Sequence, residues 1–185
     1  QLASMGEPWL LGDGIFETIK SENGELFFLN RHLARLQNSA EKLLFEKLDI
    51  AFLRDSVEAL INASSNIERG RFRITLFSNS HFLLTHQVAP IQHKALKLQI
   101  AQTRRYSVAS LTGFKSLSYG EAAFGMRVAK ESKMDDLLYL NENDHLVETS
   151  IANVLIEKRG EFLTPALSSG CLPGIVRSVF LDWFK

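Results

Sequence analysis

The sequence predicts an α+β fold in two domains. Three observations carry this: strand-sized apolar runs follow one another in series, amphipathic helical stretches sit in separate blocks, and a polar, irregular stretch, "TRRYSVASLTG" at 103–113, interrupts the pattern. A chain of 185 residues, 45% of them hydrophobic, can bury one sizeable core or two small ones. The boundary is expected after residue 106, giving an N-terminal α+β domain at 1–106 and a C-terminal domain at 107–185. The chain opens without Met and stops at "FLDWFK" inside a helical stretch, which reads as a fragment or as the ordered part of a longer protein.

Composition excludes several function classes. The 21 basic and 21 acidic residues cancel, and no basic run is interleaved with aromatics, which argues against a nucleic-acid partner. Apolar runs fall far short of the roughly 20 residues of a membrane span, and the first residues lack a signal-peptide layout. A soluble, cytoplasmic protein is expected. One cysteine, Cys171, excludes an internal disulfide, and five scattered histidines show no ligand spacing, so no metal is expected. Cys171 reads as a small packed side chain.

Element by element, Ile15 to Lys20 and Leu26 to Leu29 are β-prone runs on either side of Glu22-Asn23-Gly24, a strong hairpin signal. From Asn30, a candidate N-cap, Leu33, Leu36, Ala40, Leu43 and Leu44 recur at helical spacing, and Leu53, Val57, Leu60 and Ile61 mark a second helix. "RFRITLF", "HFLLTHQV" and "LKLQIAQT" alternate as strands of a sheet under those helices. The second half predicts a helix over 118–133, strands at "DLLYL", "HLVET" and "ANVLIEK", a turn at Arg159-Gly160, a strand through "EFLTP" and a helix entered through "LPG". Asp13, between two glycines, reads as a turn residue.

Three positions carry chemistry when taken together. Lys115 sits between Phe114 and Ser116 in "GFKSLSY", beside the expected boundary. An imine-forming lysine must reach its neutral amine, so its pKa must fall from about 10.4 towards 7 to 8, at a cost on the order of 4 kcal/mol. Apolar neighbours, here Phe114 and Leu117, favour that fall. Glu148, followed by Thr149 and Ser150 at a strand end, could hold a proton on a pyridine nitrogen and make the ring an electron sink. In "LPGIVR", at 172–177, the backbone N–H groups near Ile175 and Val176 open a helix, and the helix dipole there stabilises a phosphate by roughly 0.3 to 2 kcal/mol. Singly, each has a plainer reading: a snorkelling surface lysine, a solvated strand end, a helix start that binds nothing.

An amine, a carboxylate and a phosphate turn, in that order, are the parts a pyridoxal phosphate site requires. With its motifs, the chain resembles the class IV (fold-type IV) pyridoxal-phosphate enzymes, which include branched-chain and D-amino-acid aminotransferases and aminodeoxychorismate lyase. "GDGIFETIK" resembles that family's first strand, "RHLARLQNSA" the helix whose second arginine, here Arg35, binds cofactor phosphate, and "FKSLSY" the catalytic-lysine segment. "LVETSIANVLIEKRGEFLTP" and "SSGCLPGIVRS" are similar to the segments supplying the carboxylate and the phosphate turn.

The resemblance implies pyridoxal 5'-phosphate as cofactor, Lys115 as catalytic residue, and Arg35, Tyr119, Glu148, Thr149, Gly174, Ile175 and Val176 as cofactor-binding residues. Tyr119 resembles the tyrosine that bonds the cofactor's ring hydroxyl. It also implies a small-molecule amino substrate, a homodimer, and a C-terminal domain that continues past Lys185 with a second phosphate loop. Without that continuation, weak or absent cofactor binding is expected. The connection after "RITLF" usually carries a Gly- and Arg-containing substrate loop, and here "SNSHFLL" follows directly, either shortened or lacking residues between Phe77 and Ser78. Thr18 in "FETI" tilts the reading towards 4-amino-4-deoxychorismate lyase, releasing pyruvate and p-aminobenzoate for folate synthesis. A D-amino-acid or branched-chain transaminase is the alternative, and a truncated non-catalytic binding or assembly module is the reading from another class.

Overall fold

The computed structural model describes residues 7–89 and 95–184. Contacts divide the chain into two compact units, Gln1–Gln92 with Lys115–Ser118, and His93–Phe114 with Tyr119–Lys185. The division expected after residue 106 differs from this in two ways. The strand within "LKLQIAQT" pairs inside the second unit rather than in the first sheet, and the segment bearing Lys115 clusters with the first unit.

In the first unit a short helix α1 (Glu7–Leu11) leads into β1 (Gly14–Glu22), which turns through Asn23 and Gly24 into the two-residue β2 (Glu25–Leu26). Both turn residues have positive φ, 51° and 80°, the backbone a type I′ hairpin demands and the reason Asn-Gly suits it. The expected second strand is shorter than predicted, because α2 (Leu29–Lys42) already begins at Leu29. Its N-cap is Phe28, left-handed with no side-chain cap. Asn30 lies inside the helix, and its Oδ1 accepts from Arg54 Nη2 at 3.1 Å on α3 (Ile50–Ala63). At α3 the Asp49 carboxylate caps Phe52 N at 3.0 Å.

β3 (Arg69–Phe77) and β4 (Phe82–Val88) complete an antiparallel sheet of order β2-β1-β3-β4. The connection between them is a short turn closed by Ser80 N to Phe77 O at 3.0 Å and Phe77 N to His81 O at 2.9 Å. Strand alternation sorts the two faces. Ile15 and Ile19 of β1 lie opposite Leu76 and Phe72 of β3, and with Ile74 they form a core against Leu33, Leu36 and Ala40 of α2 and Leu53 and Val57 of α3. Phe16 and Thr18 point to the other face, opposite Thr75 and Arg73.

The second unit contains a mixed sheet. β5 (Leu98–Ile100) runs parallel to β6 (Asp136–Leu140), with α4 (Gly120–Glu131) in the chain between them, and β7 (Leu146–Thr149) returns antiparallel to β6. Ala101, Ala129, Leu137, Tyr139, Val147 and Cys171 form its core. A hairpin of β8 (Ile156–Lys158) and β9 (Glu161–Leu163) turns at Arg159 and Gly160, as expected, and α5 (Ile175–Trp183) follows "LPG". Among the described residues no helix is long and apolar enough to cross a membrane.

Candidate active site

Each unit holds some of the residues singled out in the sequence. In the first, the stretch from Lys115 pairs with the free edge of β1: Phe16 N donates to Lys115 O and Leu117 N to Gly14 O, both at 2.8 Å, around an Ile15–Ser116 bridge. This antiparallel pairing puts Lys115 opposite Phe16 with both side chains on the sheet face away from α2 and α3. The half-buried Lys115 amine lies 4.6 Å from the Phe16 ring centroid, and the Arg73 guanidinium lies 3.7 Å from the same centroid. Arg73 Nε also donates to Thr75 Oγ1 at 3.1 Å. Lys115, Phe16, Thr18, Arg73 and Thr75 thus form one band across that face.

On the opposite face of β1 stands Glu17, a carboxylate with 2% exposure in a row otherwise occupied by Ile15 and Ile19. Arg35 of α2 meets it through two bonds, Nε to Oε1 at 2.8 Å and Nη2 to Oε2 at 2.6 Å. His32, one turn earlier on α2, brings Nδ1 to Oε2 at 2.6 Å; since an ionised carboxylate only accepts, that nitrogen carries the proton. Burial alone would raise the Glu17 pKa, but the His32 and Arg35 hydrogen bonds and charges outweigh it and hold the carboxyl below its ordinary value. The Arg35 guanidinium is therefore engaged by a buried carboxylate on the α2 face of β1.

The second unit holds Tyr119, Glu148, Thr149, Gly174, Ile175 and Val176. Three N–H donors converge on Glu148: Arg105 Nη1 on Oε1 at 3.0 Å, and Leu172 N and Asn153 Nδ2 on Oε2 at 3.0 and 3.2 Å. Arg105 also donates to Thr149 O at 3.1 Å and lies 4.1 Å from the Tyr139 ring centroid. Thr149 is buried, and its hydroxyl accepts from Ala152 N at 3.0 Å, closing the turn after β7. Tyr119 is the N-cap residue of α4, with its carbonyl accepting from Ala123 N at 3.0 Å.

Gly174 is the N-cap of α5, and the first helical bond runs from Ser178 N to Gly174 O. The N–H groups of Ile175, Val176 and Arg177 accordingly have no carbonyl of their own helix to meet. The Ile175 side chain is buried, whereas that of Val176 is 72% exposed. Asn153 Nδ2 ties Glu148 to this turn by donating also to Leu172 O at 2.9 Å. Cys171, buried beside it, has its thiol pushed up by burial. Asp13 is exposed, and its backbone serves the turn into β1, with N donating to Pro8 O at 2.9 Å.

The sequence reading missed Glu17, His32, Arg73, Arg105 and Asn153. A signal existed for the first two: Glu17 is a charge in an apolar strand, and His32 stands three residues before Arg35, on the same helix face. Arg105 lies 43 residues from Glu148, and no local pattern joins them. Among the described residues no cluster of three His, Cys, Asp or Glu side chains could hold a metal ion.

Comparison with known proteins places this arrangement in context. The family model described as amino-transferase class IV matches residues 14–185. A protein of Methanocaldococcus jannaschii provisionally assigned as a branched-chain-amino-acid aminotransferase is 26% identical, over 95% of this chain and 67% of its own length. One of Schizosaccharomyces pombe, provisionally assigned as an aminodeoxychorismate lyase, is 27% identical, over 91% of this chain and 73% of its own. Among solved structures, a Legionella pneumophila protein provisionally named as a 4-amino-4-deoxychorismate lyase superposes with a TM-score of 0.90 at 25% identity, covering 97% of this chain and 72% of that one.

Proposed function

The chain belongs to the class IV aminotransferases, which are pyridoxal-phosphate-dependent enzymes, and from that premise we propose that it is a 4-amino-4-deoxychorismate lyase, releasing pyruvate and p-aminobenzoate. The observation carrying the choice is the likeness to the Legionella protein of that provisional name. Thr18 on the Lys115 face of β1 supports it.

The residues present fit the cofactor. The group supplies a protonated pyridine ring that takes up the electron pair left when the substrate's α-proton departs. Lys115 Nζ is the amine that would carry the cofactor and take that proton; as the bond to the β-oxygen substituent breaks, the proton would pass to the departing three-carbon group, which leaves as pyruvate. Glu148, under three N–H donors, would hold the ring nitrogen's proton by its negative charge. Arg35 and the N–H groups of Ile175 and Val176 would take the phosphate, with the Gly174 cap admitting close backbone approach. Tyr119 would bond the ring hydroxyl, and Thr149 shapes the turn after Glu148.

Transamination is the second reading, favoured by the archaeal relative assigned to branched-chain amino acids. A product assay separates the two: the lyase converts aminodeoxychorismate to pyruvate and p-aminobenzoate with no keto-acid acceptor. Amino transfer that requires a keto acid, with no p-aminobenzoate formed, would overturn the proposal. The same reading carries a role in folate synthesis in the cytoplasm and a homodimer, the latter checked by the mass of the eluting species in size-exclusion chromatography with light scattering.

A further inference from the structure

We infer that Glu17 is a positioning residue: its buried carboxylate, braced by His32, sets the direction in which Arg35 presents its charge to a phosphate. The inference rests on the reading of Arg35 as a phosphate ligand given above.

Three features of the first unit carry it. The carboxylate occupies a row whose neighbours are Ile15 and Ile19, with Ile74 opposite on β3, so an ion stands where an apolar side chain would pack. Replacing a buried ion pair with apolar residues is often neutral or stabilising, so stability of the fold alone gives no reason to keep one. A planar guanidinium held by one bond can swing, but two parallel bonds on its Nε–Nη2 edge define its plane. His32 donates to Oε2 from the preceding turn of α2, which denies the carboxylate the freedom to rotate and release one of those bonds.

Positioning and simple charge balance predict opposite signs. If Glu17 only offset the charge of Arg35, its neutralisation would strengthen the hold on a phosphate. If it aims Arg35, neutralisation weakens that hold although the site becomes more positive.

The test compares pyridoxal 5'-phosphate with pyridoxal, which lacks the phosphate, by absorbance titration of the purified protein, with circular dichroism confirming the fold. Glu17→Gln is expected to weaken binding of the phosphorylated form about tenfold or more and of pyridoxal less than about twofold. Equal weakening of both ligands, or tighter binding of the phosphorylated one, overturns the inference. Should Glu17→Gln not fold, His32→Gln keeps the Glu17–Arg35 pair while removing its brace, and the same phosphate-selective loss, smaller in size, is expected; a loss shared by both ligands overturns it equally. Arg35→Gln separates the two levels. If it too weakens both ligands alike, the phosphate role of Arg35 falls and the inference with it. If it is phosphate-selective and Glu17→Gln is not, only the role of Glu17 falls.

Discussion

Lys115 and Phe16 are joined twice: the Phe16 N–H donates to the Lys115 carbonyl at 2.8 Å, and the Lys115 amine lies 4.6 Å from the Phe16 ring centroid. The strand edge thus holds the lysine's backbone independently of its side chain. Lys115→Ala is expected to keep that pairing and cost roughly 1–2 kcal/mol of stability, since it removes a half-buried stem and the amine's contact with the Phe16 ring. The same variant should lose the yellow absorption that the wild-type protein gains with pyridoxal 5'-phosphate. Visible absorbance and circular dichroism check this together, and a coloured variant would remove the role of Lys115.

At Gly174 the backbone is ordinary, with φ of −65°, so space decides. An added Cβ would lie 1.8 Å from Asn153 Oδ1. That side chain cannot swing away cheaply, because its Nδ2 bonds Leu172 O and Glu148. Gly174→Ala is expected to destabilise by roughly 1–3 kcal/mol, measured by urea unfolding, and to weaken cofactor binding by disturbing both the helix cap and Glu148.

Gly125 lies within α4, where alanine would ordinarily favour the helix by about 1 kcal/mol. Here a Cβ would fall 2.2 Å from Tyr139 Oη and 3.0 Å from Ser150 Oγ, both buried. Overpacking wins, and Gly125→Ala should lose a net of roughly 1–2 kcal/mol in a thermal melt. A gain in stability would show that the Tyr139 ring has room to shift.

Stability should fall in acid in two stages. His86 bridges Ser21 Oγ (2.7 Å from Nε2) and Ser64 Oγ (2.6 Å from Nδ1). Because the Ser64 hydroxyl donates to Leu60 O at 2.7 Å, we assign Nδ1–H as the donor to Ser64 and Nε2 as the acceptor from Ser21. Burial lowers the His86 pKa from its ordinary 6.5, so the unfolded chain takes the proton more readily. Its contribution is present above pH 6.5 and is lost as pH drops through the lower folded value. The lowered Glu17 pKa acts the same way below its ordinary 4.5. Urea midpoints between pH 7 and 4 should show the first stage flattened in His86→Gln; parallel curves for variant and wild type would refute it.

Local chemistry makes some elements legible in the sequence itself. Asn23-Gly24 announces its own turn because few other residues tolerate two successive positive φ angles, and Leu33, Leu36 and Ala40 announce a helix face by their spacing. "LKLQI" alternates correctly for a strand, yet alternation says nothing about the partner, and β5 joined β6 in parallel. Helix α2 was expected to begin at a good capping residue. The hairpin instead delivers the chain through a left-handed Phe28, and Asn30 turns to Arg54.

Most element types, the order of the motifs and the candidacy of Lys115 and Glu148 were legible in the sequence alone, because propensity, periodicity and motif spacing act over a few residues, whereas Arg35 became a candidate through the resemblance its motif carries. Tertiary structure decided the company those residues keep: Phe16 beside Lys115, Glu17 on Arg35 with His32 on Glu17, and Arg105 and Leu172 on Glu148. These partners come from distant strands, helices and loops. A buried charge must find its counter-charge wherever the chain folds to supply one, and no local pattern encodes that place.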